Sequence, residues 1–330
     1  MRFTYGLLLT IAVALLSIAA LSGQNSAAAA PPFSNILVFG DSLSDTGNIY
    51  AASGGTVVPA PYYDGRVSNG PMWTERLAQE LGLPNALPSF VHTLEEGGTN
   101  YAWYGAETGT GLSDSLTPNL GTQIGMFLSD GGTLSGKELI LIRGGTNDLF
   151  AAATAGDELT ASALTASALT AAANIVYHVK TLALAGGEVF LVSNLGGVGQ
   201  TPFLQQLGPP FPAAADSWEF VFNAALDAAL DGLESELAAF ELNVQIVRFD
   251  ADGLLTEILQ QPQRFGLKNV TDPACPDCLF GQPLPGAESS LVQKPKKYLF
   301  WDLVHPTSTT HKAFGHEAAQ LVKKQVRKSK

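Results

Sequence analysis

The chain has 330 residues, 46% of them apolar, enough for one sizeable α/β core or two modest domains. Its formal net charge is −12. Binding nucleic acid needs a basic face for the phosphates, so no nucleic-acid partner is expected.

The first thirty residues differ in character from the rest. Arg2 gives a positive start, Leu7 to Leu21 is apolar apart from Thr10 and Ser17, and small residues with an alanine run follow up to Ala30. This is the layout of a secretory signal peptide. A run of about fifteen residues is short for a spanning helix, which needs roughly 20. Residues 1–30 are therefore expected to be an export signal and 31–330 a single domain, secreted or periplasmic; an uncleaved N-terminal anchor is the alternative.

Ile36-Leu37-Val38-Phe39 reads as a strand buried on both faces, as in a parallel sheet. It runs into Gly40-Asp41-Ser42-Leu43-Ser44, a sharp polar turn. A loop rich in Pro, Gly and Tyr follows from Pro59 to Pro71. Trp73, Leu77 and Leu81 recur at helical spacing. A second short strand is expected at Asn100 to Ala106 and a helix at Leu120 to Ser129. A third strand, Glu138 to Arg143, ends in Gly144-Gly145-Thr146-Asn147-Asp148.

Leu159 to Leu184 reads as a packed alanine-rich helix and Glu188 to Asn194 as a fourth strand. Pro202 to Pro212 reads as a loop. Ala214 to Phe240 reads as a long helix with Phe220, Ala224, Leu226, Leu230, Leu233 and Leu237 inside, before a fifth strand from Val244 to Phe249. Residues 262–295 read as an irregular insert carrying Cys275 and Cys278. Behind an export signal a Cys275–Cys278 disulfide is expected, and two thiolates are too few for structural zinc. A last helix is expected from His311 to Lys324. Strands alternating with helices predict α/β class, a parallel sheet covered on both faces.

The polar tips collect the parts for acyl transfer. Ser42 is placed as a nucleophile where a strand ends. In Asp302-Leu303-Val304-His305 the short gap lets one turn bring an acid and a base together. His305 would take the serine proton, and Asp302 would fix the imidazole. The backbone N–H groups of Ser42 and Gly105 and the amide of Asn147 are candidate oxyanion donors. His92, His178, His311 and His316 lack an Asp three residues earlier and read as surface or helix residues. Asp148 reads as a support for its loop, and Arg66 and Asn69 as rim or structural residues.

These blocks together resemble the SGNH, or GDSL, hydrolases. Gly40–Asn48, Asn100–Ala106, Gly145–Asp148 and Asp302–Pro306 resemble the family's catalytic blocks in order. Tyr62 to Gly70 resembles its secreted phospholipase, lecithinase and haemolysin branch. Trp103 and Tyr104 stand where the family usually has smaller residues. The resemblance implies a three-layer α/β/α sandwich of flavodoxin-like order. It also implies esterase or lipase activity through Ser42, His305 and Asp302, with no metal or cofactor. Its substrates would be lipid, short-chain or acylated-sugar esters, with transient contact to a membrane or lipid surface. A carbohydrate deacetylase, a phospholipase or acyltransferase, and a catalytically silent binding protein are the rivals.

Overall fold

The computed structural model describes residues 33–154 and 160–326. The expected export signal at 1–30 lies outside the described residues.

Strand β1 (Asn35–Gly40) pairs in parallel with β2 (Glu138–Arg143), β2 with β3 (Val189–Ser193), and β3 with β4 (Gln245–Phe249). Residues 100–103 run along the other edge of β1. They make one parallel bridge, Val38 to Asn100, and hydrogen bonds from Tyr101 N to Val38 O and Trp103 N to Gly40 O. The expected second strand is therefore a short irregular strip. The chain crosses from β1 to this strip on one side and then returns to β2 on the other. The carboxyl ends of β1 and β2 thus flank the point where crossovers change direction, the usual ligand crevice of such sheets.

Alternate residues of each strand face opposite layers. Ile36, Val38, Leu139, Leu141, Leu191 and Val247 belong to one buried cluster. That cluster includes residues of α2 (Trp73–Leu81), α8 (Ala251–Gln260) and α9 (Ser308–Val326). Leu37, Phe39, Ile140, Ile142, Phe190, Val192 and Ile246 belong to the other. It includes residues of α3 (Leu120–Ser129), α5 (Ala161–Leu184) and α7 (Phe211–Ala239). Two apolar faces on one sheet require both helical layers, giving the α/β/α sandwich.

The inner face of α7 differs from the expectation at its start. Phe220 is 74% exposed and Ala224 is exposed, while Trp218 and Phe222 are buried with Leu226, Leu230, Leu233 and Leu237. Phe220 precedes Phe222 by two residues, about 200° around a helix, so only one of them can face the sheet.

Short helices also form in stretches that read as loop: α1 (Asn48–Ala52), α4 (Thr146–Thr154) and α6 (Pro202–Leu207, with Pro202 opening it). Pro at the first helical position is compatible with helix because its missing N–H would be unpaired there. The insert is partly ordered. Strand β5 (Asn269–Pro273) pairs with β8 (Tyr298–Phe300), and β6 (Cys278–Leu279) forms a hairpin with β7 (Gln282–Pro283). Cys275 and Cys278 are joined in a buried disulfide that closes the start of that hairpin.

Candidate active site

Ser42 sits two residues beyond β1. A Cβ on Gly40 would lie 2.7 Å from the Arg143 carbonyl oxygen, so the strand end reaches β2 this closely only as glycine. Gln123 of α3 braces the same residue: Gly40 N donates to its Oε1 (2.9 Å) and its Nε2 donates to Gly40 O (2.8 Å). Asp41 and Arg143 form a buried ion pair, with Arg143 Nη1 2.9 and 2.8 Å from the two carboxylate oxygens.

The segment 302–305 comes back to this turn from β8. Asp302 Oδ1 accepts from Val304 N (2.9 Å) and His305 N (2.7 Å), which folds the four residues into a compact turn. His305 Nδ1 lies 2.8 Å from Asp302 Oδ2, and His305 Nε2 lies 3.1 Å from Ser42 Oγ. A carboxylate only accepts, so Nδ1 carries the hydrogen and Nε2 accepts from the serine hydroxyl. Burial alone would raise the Asp302 carboxyl. The neighbouring His305 and the two backbone N–H groups outweigh it and hold the carboxyl below its ordinary value.

Gly105 and Asn147 line the same cleft as Ser42 and His305. Gly105 has φ +79°, a left-handed conformation that favours glycine. Tyr104 N, just before it, donates to Asp45, whose carboxylate also accepts from Gly47 N and Asn48 N. One N–H of the Asn147 amide donates to Ala106 O (2.9 Å), anchoring a side chain that carries a second N–H. The N–H groups of Ser42 and Gly105 donate to no protein acceptor among the described residues. Four of the five predicted site residues, Ser42, Gly105, Asn147 and His305, thus line one cleft of about 150 Å³, and Asp302 lies buried behind His305. A larger groove of about 680 Å³ between α7 and α8 contains none of them.

The neighbouring residues have mostly structural contacts. Asp148 accepts from Thr108 N (3.0 Å) and Thr108 Oγ1 (2.6 Å), and burial pushes its carboxyl up to about 6. Arg66 pairs with Asp64 and Glu75, and Asn69 Oδ1 accepts from Ser308 N. Trp103 packs edge-on to Phe90 away from the cleft, whereas Tyr104 lines it. His311 is buried, and burial followed by nearby positive charge pushes its imidazole down to about 3; Trp73 N donates to its Nδ1.

Sequence reading missed three parts of this site. Arg143, a charge ending an apolar strand, and Gln123, between Leu120 and Ile124 on the buried side of α3, were visible anomalies. Tyr62, whose hydroxyl donates to Asp302 Oδ2 at 2.7 Å, opens the Tyr62–Gly70 block, but nothing in that block pointed to Asp302. Among the described residues there is no group of three or more His, Cys, Asp or Glu placed to hold a metal ion.

A serine, a histidine and an aspartate in hydrogen-bonded sequence at the carboxyl edge of a flavodoxin-like sheet, with the last two on one turn, make an α/β protein with a hydrolase-like arrangement. The family model for GDSL-like lipase/acylhydrolase matches residues 36–318, and the chain belongs to that family. It is 28% identical to a phosphatidylcholine-sterol acyltransferase of Aeromonas hydrophila, over 95% of this chain and 97% of that one. It is also 26% identical to a GDSL esterase/lipase of Arabidopsis thaliana, over 87% of this chain and 89% of that one.

Proposed function

We propose that the chain is a serine esterase or lipase that hydrolyses carboxylic esters through an acyl-enzyme. One observation carries the reading: the relay from Ser42 Oγ to His305 Nε2 (3.1 Å) and from His305 Nδ1 to Asp302 (2.8 Å) opens on a cleft with apolar walls. In the first half-reaction Ser42 Oγ bonds to the ester carbonyl carbon while its proton passes to His305 Nε2. The oxygen that gains charge is held by Ser42 N–H, Gly105 N–H and the Asn147 amide. The C–O bond to the alcohol then breaks, and His305 returns the proton to the leaving oxygen. In the second half-reaction water repeats these steps on the acyl-serine and releases the acid. Asp302 fixes the imidazole tautomer and stabilises the imidazolium throughout. No step calls on a metal or cofactor.

The similarity to the Aeromonas hydrophila acyltransferase favours a second outcome at the same acyl-serine. An acceptor alcohol in place of water would leave with the acyl group as a new ester. Residues 1–30 are proposed as an export signal. The Cys275–Cys278 disulfide supports an oxidising compartment outside the cytoplasm.

The test is turnover of p-nitrophenyl acetate, butyrate, octanoate and palmitate by the mature protein beside Ser42→Ala. Activity that vanishes in the variant supports the reading. Equal inactivity of both proteins, including on a phospholipid and an acetylated sugar, would favour a binding protein. Asn147→Ala should lower kcat by about 10²–10³, the usual cost of one oxyanion donor. Product analysis with added glycerol or a sterol separates transfer from hydrolysis.

A further inference from the structure

We propose that Tyr62 is a positioning residue of this site, holding the Asp302 carboxylate toward His305 and tying it to the Phe280–Gly281 turn of the insert. The proposal rests on the Ser42–His305–Asp302 reading and deepens it.

Tyr62 is 5% exposed, and its hydroxyl makes two hydrogen bonds. It donates to Asp302 Oδ2 at 2.7 Å and accepts from Gly281 N at 2.9 Å. The direction is fixed, because the carboxylate can only accept and the amide can only donate. A phenol that receives a hydrogen bond becomes a stronger donor, so the Gly281 contact strengthens the Asp302 contact. Burial, followed by the Asp302 charge, pushes the phenol far above its ordinary value, so it stays protonated. Its ring packs edge-on to Trp301, the residue before Asp302 (centroids 6.1 Å apart).

The donor completes the carboxylate. Oδ1 takes the Val304 and His305 backbone N–H groups, and Oδ2 takes the imidazole and Tyr62. With both oxygens held from different sides, the carboxylate plane has one orientation.

The Phe280–Gly281 turn is docked on the same loop and on the second block. Val58 N donates to Gly281 O (2.8 Å), and the Tyr104 hydroxyl donates to Phe280 O. Phe280 has φ +46°, a conformation bulky residues rarely adopt. Its ring lines the cleft and packs edge-on to Phe203 at 4.9 Å. One hydroxyl thus joins the insert that walls the cleft to the acid that orients the base.

The consequence is electronic as well as geometric. A hydrogen bond to the charged form of Asp302 draws charge from it and lessens its hold on the imidazolium. Removing the donor favours protonated His305, so the acid limb of the kcat/KM profile moves to higher pH. Other groups facing the pair stay in place. Tyr104 lies 6.1 Å from the His305 ring, and His311 and the Arg143–Asp41 pair line the same cleft. Tyr63 and Asp64, beside Tyr62, are exposed, and Val304 and Pro306 flank the base.

The experiment measures kcat/KM for p-nitrophenyl butyrate against pH in the full mature protein. Four variants are compared: Tyr62→Phe, 3-fluorotyrosine installed in place of Tyr62, Tyr104→Phe and Ser42→Ala. Tyr62→Phe should lower kcat/KM about tenfold, the effect of losing a hydrogen bond to a charged group. Its acid limb should rise by about half a pH unit. The fluorinated phenol is a stronger donor of nearly the same shape and should move the limb downward. Tyr104→Phe loosens the turn without touching Asp302 and should leave the limb where it is.

If Ser42→Ala is inactive and the Tyr62→Phe limb coincides with wild type, the proposal is overturned. An equal shift in Tyr104→Phe also overturns it, because docking of the turn would then set the limb. Should Tyr62→Phe fail to fold by circular dichroism, the fluorinated protein decides: an unmoved limb overturns the proposal. Activity surviving in Ser42→Ala overturns the reading of the site, and this proposal with it.

Discussion

Gln123 pairs with Gly40 as a neighbouring peptide would, accepting from its N–H at 2.9 Å and donating to its carbonyl at 2.8 Å. The contact bridges 83 residues and fixes the backbone two positions before Ser42. Gln123→Leu keeps much of the volume but strips the buried Gly40 N–H of its acceptor, while Gly40 O keeps the Trp103 N–H. A buried donor left unpaired costs about 1–3 kcal/mol. The variant should lose roughly 1–3 kcal/mol in denaturant melts and lose kcat more than KM. A variant with wild-type stability would show that water replaces the glutamine.

The Asp41–Arg143 pair is the second brace on the same turn. Both side chains are buried, at 2% and 8% exposure. Arg143→Met would leave the Asp41 carboxylate in the core without a countercharge, a change that typically costs about 3–5 kcal/mol. Asp41→Asn combined with Arg143→Met removes the charge as well, and should recover part of the loss in Tm. If the single variant is as stable as the double, the isolated charge is not the cause.

Much of this architecture was legible because it is local. The β1 run Ile36 to Phe39, α2 with Trp73, Leu77 and Leu81, and the turn Asp302 to His305 each carry their pattern within a few residues. The two-residue offset between Phe220 and Phe222 marks the limit of that reading, since both rings are apolar and only the sheet selects one. The short helix α4 was hidden by its glycine-rich start, and α6 by its prolines. The Tyr62–Asp302 bond spans 240 residues, so no local pattern could announce it. Gln123 and Arg143 stood out only as polar residues in buried elements, which says that they have partners without saying which.

Stability should depend on pH through Glu219. This side chain is 6% exposed and accepts from Gly197 N (3.0 Å) and Val198 N (2.8 Å), holding a loop that lines the cleft. Burial, with Asp252 and Asp216 adding in the same direction, pushes its carboxyl from 4.5 up to about 7. Between those values the folded protein holds a proton that the unfolded chain releases. Stability from this group is therefore full below the unfolded value and falls as pH rises through about 7. Asp148, pushed up to about 6, acts in the same direction. Unfolding free energy should drop between pH 4.5 and about 7 and level off above that, and Glu219→Gln should flatten the drop. An identical slope in the variant would remove Glu219 as its source.

Acyl-chain preference follows from the cleft. Its volume is about 150 Å³, and its inner wall includes Trp73, Leu255, Phe300 and Phe314. An apolar cavity of about that volume takes a ring of six carbons. Each methylene that leaves water contributes about 0.8 kcal/mol, roughly fourfold in kcat/KM where the gain appears in the transition state. Two methylenes separate acetate from butyrate, so kcat/KM should rise about fifteenfold between their p-nitrophenyl esters. The rise should stop near six to eight carbons, where the chain outgrows the cleft, and palmitate should fall below butyrate. A maximum at acetate would instead fit a deacetylase, with Tyr104 and Phe280 closing the cleft to longer chains. A continued climb to palmitate would mean that the walls part to admit a lipid tail.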